Sequence, residues 1–138
     1  MTYTKKINHV AIVVKNIEDA VKFWCDGLGL KIEQVRDVPE QESRVAFLPL
    51  GDSEIELVEP TSDDSGIARF LDKRGSGMHH VCFETDDIYG ALENLRNLGI
   101  RLINESPRVS EGGRMYAFIH PESANGVLVE LYQLADDK

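Results

Sequence analysis

The sequence is short of positive charge, of cysteine and of long apolar runs, and each shortage closes a class of function. There are 15 Lys and Arg residues against 24 Asp and Glu, a formal net charge of −9, whereas neutralising a phosphate backbone needs clustered cations. No nucleic-acid partner is expected, although a local basic patch on an acidic protein could still hold a small anion. The two cysteines, Cys25 and Cys82, lack zinc-knuckle or CxxC spacing, so both are expected to be reduced and buried. No apolar run approaches the roughly 20 residues of a membrane span. The start, MTYTKKINHV, shows no apolar segment ahead of a cleavage site. A cytoplasmic protein without a membrane partner is expected.

What the chain does have is a repeat. INHVAIVVKNIEDAVKFW and MHHVCFETDDIYGALENL align without a gap when His80 is laid on His9, an offset of 80 − 9 = 71. A second echo pairs SEIELVE with LVELYQ and lays Glu130 on Glu56, an offset of 130 − 56 = 74. The 138 residues suit one domain with a real core but not two independent ones. The halves are therefore read as modules of a single domain over residues 1–138: module one about 6–60, a linker 61–77, and module two about 78–134. Hydrophobic residues at 42% and charged ones at 28% describe a globular chain.

Each module reads as βαβββ, an α+β fold in which two modules pair curved sheets into a cup. Residues 7–14 form an apolar, β-branched strand. Asn16 caps a helix over 17–28 whose apolar residues keep helical spacing, with Trp24 in the core and the GLG at 27–29 as its stop. A strand over 30–38, a loop at 39–42 and a hairpin of 44–50 with 53–59 around Gly51-Asp52 complete module one. The linker offers caps at Asp63, Asp64 and Ser65 for a helix over 67–74. Module two repeats the order: a strand at 78–84, a helix over 88–98 capped by Asp86 or Asp87, a strand at 100–104, a glycine-bearing loop at 110–114, then strands at 115–119 and 127–133.

Alternation along a strand assigns faces. His9 shares a face with Ile7, Ala11 and Val13; His80 with Cys82 and Glu84; Glu56 with Glu54 and Val58; Glu130 with Leu128 and Tyr132. In each strand the opposite face is uniformly apolar and is expected to pack on the helices. A lone strand histidine is more often a core residue than a ligand, and a glutamate among apolar residues usually faces solvent. Here the duplication keeps the same chemistry at two independent pairs of positions, while Asn8 against His79 and Lys15 against Asp86 have drifted. His9, Glu56, His80 and Glu130 are thus the candidate ligands of one divalent ion of Co, Zn, Mn, Ni or Fe type, with open positions left for substrate. His79 points away from His80 and is assigned a structural role, and His120, ahead of Pro121, a turn role.

On these residues the chain resembles the vicinal oxygen chelate superfamily. Within it, INHVAIVV, GMHHVCFE, IARFLDKRG and HPESANGVLVELYQ look like the methylmalonyl-CoA epimerase family, a match that runs from Ile7 to Gln133. The resemblance implies a metal-dependent epimerase of an acyl-CoA substrate, working as a homodimer. The proton α to the thioester would be removed and returned on the other face through a metal-stabilised enolate. Glu130 would be ligand and base on one side, and Glu56 would be ligand or base on the other, displaced from the metal when substrate binds. In some relatives a catalytic glutamate occupies the place of Val45, which leaves the second acid/base group open. Arg69, Lys73, Arg74, Arg108 and Arg114 are the candidates for the CoA phosphates. The alternatives are a lactoylglutathione lyase with the same ligand set, an extradiol dioxygenase, and a metal-free small-molecule-binding member, which would typically lack the four ligands.

Overall fold

The protein is described by a computed structural model that covers residues 3–110 and 112–135. Contact clustering divides the chain into two compact units, one of residues His9–His79 and one of Met1–Asn8 with His80–Lys138. Strand β1 (Thr4–Val13) passes from the second unit into the first.

In the unit of residues 9–79, β1 is followed by α1 (Ile17–Val21), β2 (Gln34–Val38), β3 (Ser43–Leu50), β4 (Ser53–Pro60) and α2 (Gly66–Arg74). The strand order is β2-β3-β4-β1. Asn16 caps α1 by accepting the amide of Asp19 at 2.8 Å. The β3–β4 hairpin closes with Leu50 opposite Ser53 around Gly51, which sits at φ 62, a backbone angle that a glycine adopts without a Cβ clash. Ile17, Ala20, Val21 and Trp24 pack on Ile12, Ala46, Leu48, Ile55 and Leu57, so the expected apolar strand face does carry the helix. Leu48 and Leu57 are fully buried, worth ~1.5–3 kcal/mol each relative to exposure.

Three expectations for this unit are corrected. The helix is α-helical for one turn only, and Lys22–Gly27 is a π-helix, with Leu28 N bonded to Phe23 O and Leu30 N to Trp24 O. The wider turn leaves Phe23 59% exposed, while Trp24, half-buried, packs on the core as expected. The bond that ties Leu30 back to the helix, with Gly29 at φ 84, delays the next strand, so β2 starts at Gln34 and not at Leu30. Residues 39–41 are a single 3-10 turn. The linker helix, capped by Ser65, does more than connect: its Ile67, Phe70 and Leu71 cover Ala11, Val13, Val45 and Val58 on the face of the candidate ligands.

The unit built on residues 80–138 contains most of β5 (Gly77–Thr85), then α3 (Ile88–Asn97), β6 (Arg108–Val109), β7 (Met115–Ile119) and β8 (Val129–Gln133), in the order β5-β8-β7-β6. Asp87 caps α3 by accepting from Gly90 N at 3.0 Å. A Cβ at Gly90 would collide with that carboxylate and crowd Tyr3, so the cap needs a glycine there. Ile88, Ala91 and Leu92 pack on Ala117, Ile119, Leu131, Phe83 and Val129, again the face turned from the candidate ligands.

The strand expected at 100–104 is not formed. Leu102 makes one bridge to Ile119, after which the amides of Ile103 and Asn104 both donate to Phe118 O and Asn104 Oδ1 accepts Phe118 N at 2.7 Å. A side chain supplies the acceptor that a strand would supply, and the edge strand is β6 instead, with Arg108 opposite Tyr116. In the loop at 110–114, Glu111 lies outside the described residues; Ser110 N bonds Arg114 O at 2.8 Å. The last strand starts at Val129 rather than Val127, because a turn with Asn125 at φ 57 and Gly126 at φ 85 holds Val127 N to Ala124 O. Among the described residues no helix is long and apolar enough to cross a membrane.

Candidate metal and proton-transfer site

One register relation is made twice. In the first unit β1 runs parallel to β4 with Ala11 opposite Glu56, and in the second β5 runs parallel to β8 with Cys82 opposite Glu130. Each glutamate therefore faces the residue two places after a histidine on a neighbouring strand, and residues two apart share a face. The outcome is a His–Glu pair in each unit. His9 Nδ1 lies 3.3 Å from Glu56 Oε2, and His80 Nε2 lies 3.0 Å from Glu130 Oε1.

The same register explains why the offset shifts from 71 to 74. Phe47 is the partner of Glu56 and Phe118 of Glu130, at 118 − 47 = 71. Along β3–β4 these partners stand 56 − 47 = 9 positions apart, and along β7–β8 they stand 130 − 118 = 12 positions apart. The three extra residues go into the turn that holds the 3-10 segment Pro121–Ser123.

Both pairs are sequestered. His9 is 3% exposed and Glu130 6%, while the side chains of Glu56 and His80 are at 15% and 13%. Charged or titratable groups are kept out of water only when paired or bound to a metal. Two donors at right angles on an ion with bonds of about 2.1 Å stand ~3 Å apart, so both spacings fit an imidazole and a carboxylate as neighbouring ligands of a divalent ion. The residue types fit as well, since imidazole with carboxylate suits the first-row ions named above.

The remaining expected residues fall as follows. Glu54 shares the face of Glu56, but the contact of His9 is with Glu56. Val45 is 3% exposed and packed with Ala11, Val13, Phe47 and Val58; it is a core residue and carries no proton. His79 stacks edge-on against Phe70 at 5.0 Å, and His120 Nδ1 accepts Glu122 N at 3.0 Å, so both have the structural roles expected. Of the cations, Arg69 bonds Asp64 O, Arg74 lies 5.4 Å over the Phe70 ring, Arg114 lies 5.4 Å over Tyr132, and Lys73 and Arg108 are exposed.

Two features were not singled out from sequence. Glu84, on the face of His80, is 8% exposed and is held by Asn8 Nδ2 at 3.2 Å and Lys5 Nζ at 3.9 Å. Phe118 sits edge-on to the His80 ring at 5.5 Å, and Tyr116 stands 6.2 Å beyond it. The Phe47–Phe118 match at the first offset was the available signal for the aromatic neighbour.

Comparison with known proteins gives the chain's family. A family model, the Glyoxalase/Bleomycin resistance protein/Dioxygenase superfamily, matches residues 8–118. Human "Methylmalonyl-CoA epimerase, mitochondrial" is 40% identical over 93% of this chain and 73% of that one. The "Ethylmalonyl-CoA/methylmalonyl-CoA epimerase" of Cereibacter sphaeroides is 37% identical over 94% and 98%. A solved variant of Streptomyces coelicolor methylmalonyl-CoA epimerase, in complex with 2-nitronate-propionyl-CoA, superposes with a TM-score of 0.84 at 31% identity, covering 96% of each chain. The duplicated βαβββ units, the His–Glu pair in each and these likenesses over nearly the full length place the chain in the glyoxalase/bleomycin resistance protein/dioxygenase superfamily, as an enzyme of its methylmalonyl-CoA epimerase family.

Proposed function

We propose that this protein interconverts the 2R and 2S forms of methylmalonyl-CoA, using one divalent ion held jointly by His9, Glu56, His80 and Glu130, with the two units acting as one domain. The observation that carries the reading is the His–Glu pair repeated at 3.3 and 3.0 Å in the same register of both units. Relatives named for this substrate support it.

When bound, the ion supplies positive charge that offsets the charge developing on the thioester and carboxylate oxygens as C2 loses its proton. The chain's own groups do the proton work. Inversion requires removal on one face of C2 and return on the other, so two acid/base groups must flank that carbon. Glu130 takes the proton on one face, and Glu56 protonates the opposite face; the reverse reaction exchanges their roles. A carboxylate has two oxygens, so one can stay with its histidine and the ion while the other reaches the carbon. With Val45 in the core, the carboxylate in contact with the module-one histidine is Glu56. Burial of the pairs keeps water from competing for the proton. A homodimer in the cytoplasm belongs to the same proposal; a sedimentation mass of one protomer would remove the dimer.

The test is hydrogen–deuterium exchange at C2 of methylmalonyl-CoA in D2O, with metal-loaded and chelator-treated protein. Exchange with inversion in the loaded protein, lost on chelation and restored by Co, Zn, Mn, Ni or Fe, is expected. A rate no higher than without protein, with all five ions, would refute the reading.

A further inference from the structure

We propose that Phe118 sets the size of the alkyl group that the substrate's C2 can carry, by walling the space beside Glu130. The inference rests on the malonyl thioester reading above and names a specificity determinant within it.

Phe118 alternates with Ala117 and Ile119, which are buried against α3, so its ring projects from the opposite face, that of His80 and Glu130. It is the cross-strand partner of Glu130, and such partners hold their Cβ atoms about 4.5–5.5 Å apart. The ring is half-buried, perpendicular to the imidazole of His80 at 5.5 Å and to Tyr116 at 6.2 Å. Its backbone is fixed from both sides. Asn104 Oδ1 accepts its amide at 2.7 Å on one edge, and β8 pairs with it on the other. The ring therefore has little freedom to swing away through its main chain.

The module-one counterpart is committed elsewhere. Phe47 is 9% exposed, packed with Val13, Val45 and Val58, and covered by the Arg36 guanidinium 4.8 Å over its ring. Of these two phenylalanines, Phe118 is the less buried.

C2 of such a thioester carries a hydrogen, a carboxylate, a thioester carbonyl and an alkyl group. When the hydrogen is presented to Glu130, the other substituents lie around that carboxylate. The two oxygen-bearing groups need donors or cations and would lose hydration against a phenyl ring. The alkyl group gains by leaving water there. It therefore rests on Phe118, and the volume left by that ring decides whether a methyl or a longer chain fits.

The test measures kcat/KM for C2 exchange on methylmalonyl-CoA and on ethylmalonyl-CoA, with metal-loaded full-length wild type, Phe118→Ala and Phe118→Leu. One methylene in an apolar pocket discriminates by roughly 10–200-fold. The ethyl-to-methyl ratio should therefore rise about tenfold or more in Phe118→Ala, and by less in Phe118→Leu. The ratio cancels any change in the fraction of metal-loaded protein, because both substrates draw on the same active molecules. A ratio within about twofold of wild type in Phe118→Ala, or in Phe118→Leu and Phe118→Tyr together if the alanine variant does not fold, would overturn the proposal. Wild-type protein that exchanges neither thioester would overturn the substrate reading itself, a result distinct from an unchanged ratio.

Discussion

Gln133 Oε1 accepts the amide of Ile88 at 2.8 Å, which ties the first turn of α3 to the end of β8. Glu59 Oε1 does the same for Ile17 in the other unit, at 2.9 Å, and 133 − 59 = 74 is the offset that relates Glu130 to Glu56. Each helix is thus fastened to the strand that carries a candidate ligand, three residues from that ligand. Truncating either acceptor leaves an amide of the first helical turn unsatisfied. Gln133→Ala and Glu59→Ala should each lower stability by about 1 kcal/mol, read as a drop in urea midpoint with unchanged slope. No change in midpoint would show that water replaces the side chain at no cost.

Glu56→Gln and Glu130→Gln keep volume and a donor oxygen but remove the proton acceptor. Turnover of methylmalonyl-CoA should fall by ~10²–10⁴ in each, while metal content in Glu56→Gln stays at the wild-type value. Full activity in Glu56→Gln would remove that residue from the acid/base role.

Ser65 is buried and caps the linker helix by accepting Ala68 N at 3.0 Å. Ser65→Ala should cost about 1 kcal/mol. Because α2 covers Val13, Val45 and Val58 on the face of the candidate ligands, the same variant should show faster amide exchange at those residues than wild type, which hydrogen-exchange mass spectrometry reads.

Burial, and then the neighbouring charge of Asp26, push the Cys25 thiol up from its ordinary value. The folded protein holds that proton at pH values where an unfolded chain has released it. Stability from this group is therefore present below the ordinary cysteine value and is lost as pH rises through the folded one. At a given mildly alkaline pH, Cys25 should alkylate more slowly than a free cysteine, and Asp26→Asn should speed it. Cys82, fully buried, should react only on unfolding. Equal rates in wild type and Asp26→Asn would remove the charge contribution.

The sequence showed that His9 is equivalent to His80 and Glu56 to Glu130, because a duplication leaves its record in residue type and spacing, which need no coordinates to compare; that each histidine pairs with the glutamate of its own unit follows from the register of the parallel strands. The cap at Asn16 was equally legible, and the caps of the other two helices were narrowed to Asp86 or Asp87 and to Asp63, Asp64 or Ser65, since caps act through bonds to residues three places away; the structure selects Asp87 and Ser65. Where the reading failed, the deciding bond came from far along the chain or from an unusual local turn. Residues 100–104 look like a strand, but Asn104 supplies the side-chain acceptor for Phe118 fourteen residues on. Residues 22–27 keep helical spacing, yet the spacing of apolar residues does not distinguish an α turn from a π turn. Phe118 drew no attention because an aromatic residue in a strand is ordinarily core, and only its partner Glu130 gives it another meaning.

The central claim is that the two His–Glu pairs serve one ion between them. Metal stoichiometry by elemental analysis, after reconstitution with Co(II) or Zn(II) and gel filtration, tests it most directly in the wild type, His9→Ala and His80→Ala. One ion per chain in the wild type, with near-complete loss in each single variant, is the result predicted. Two ions per chain, or one ion retained when either histidine is removed, would mean that each pair acts alone and would contradict the account.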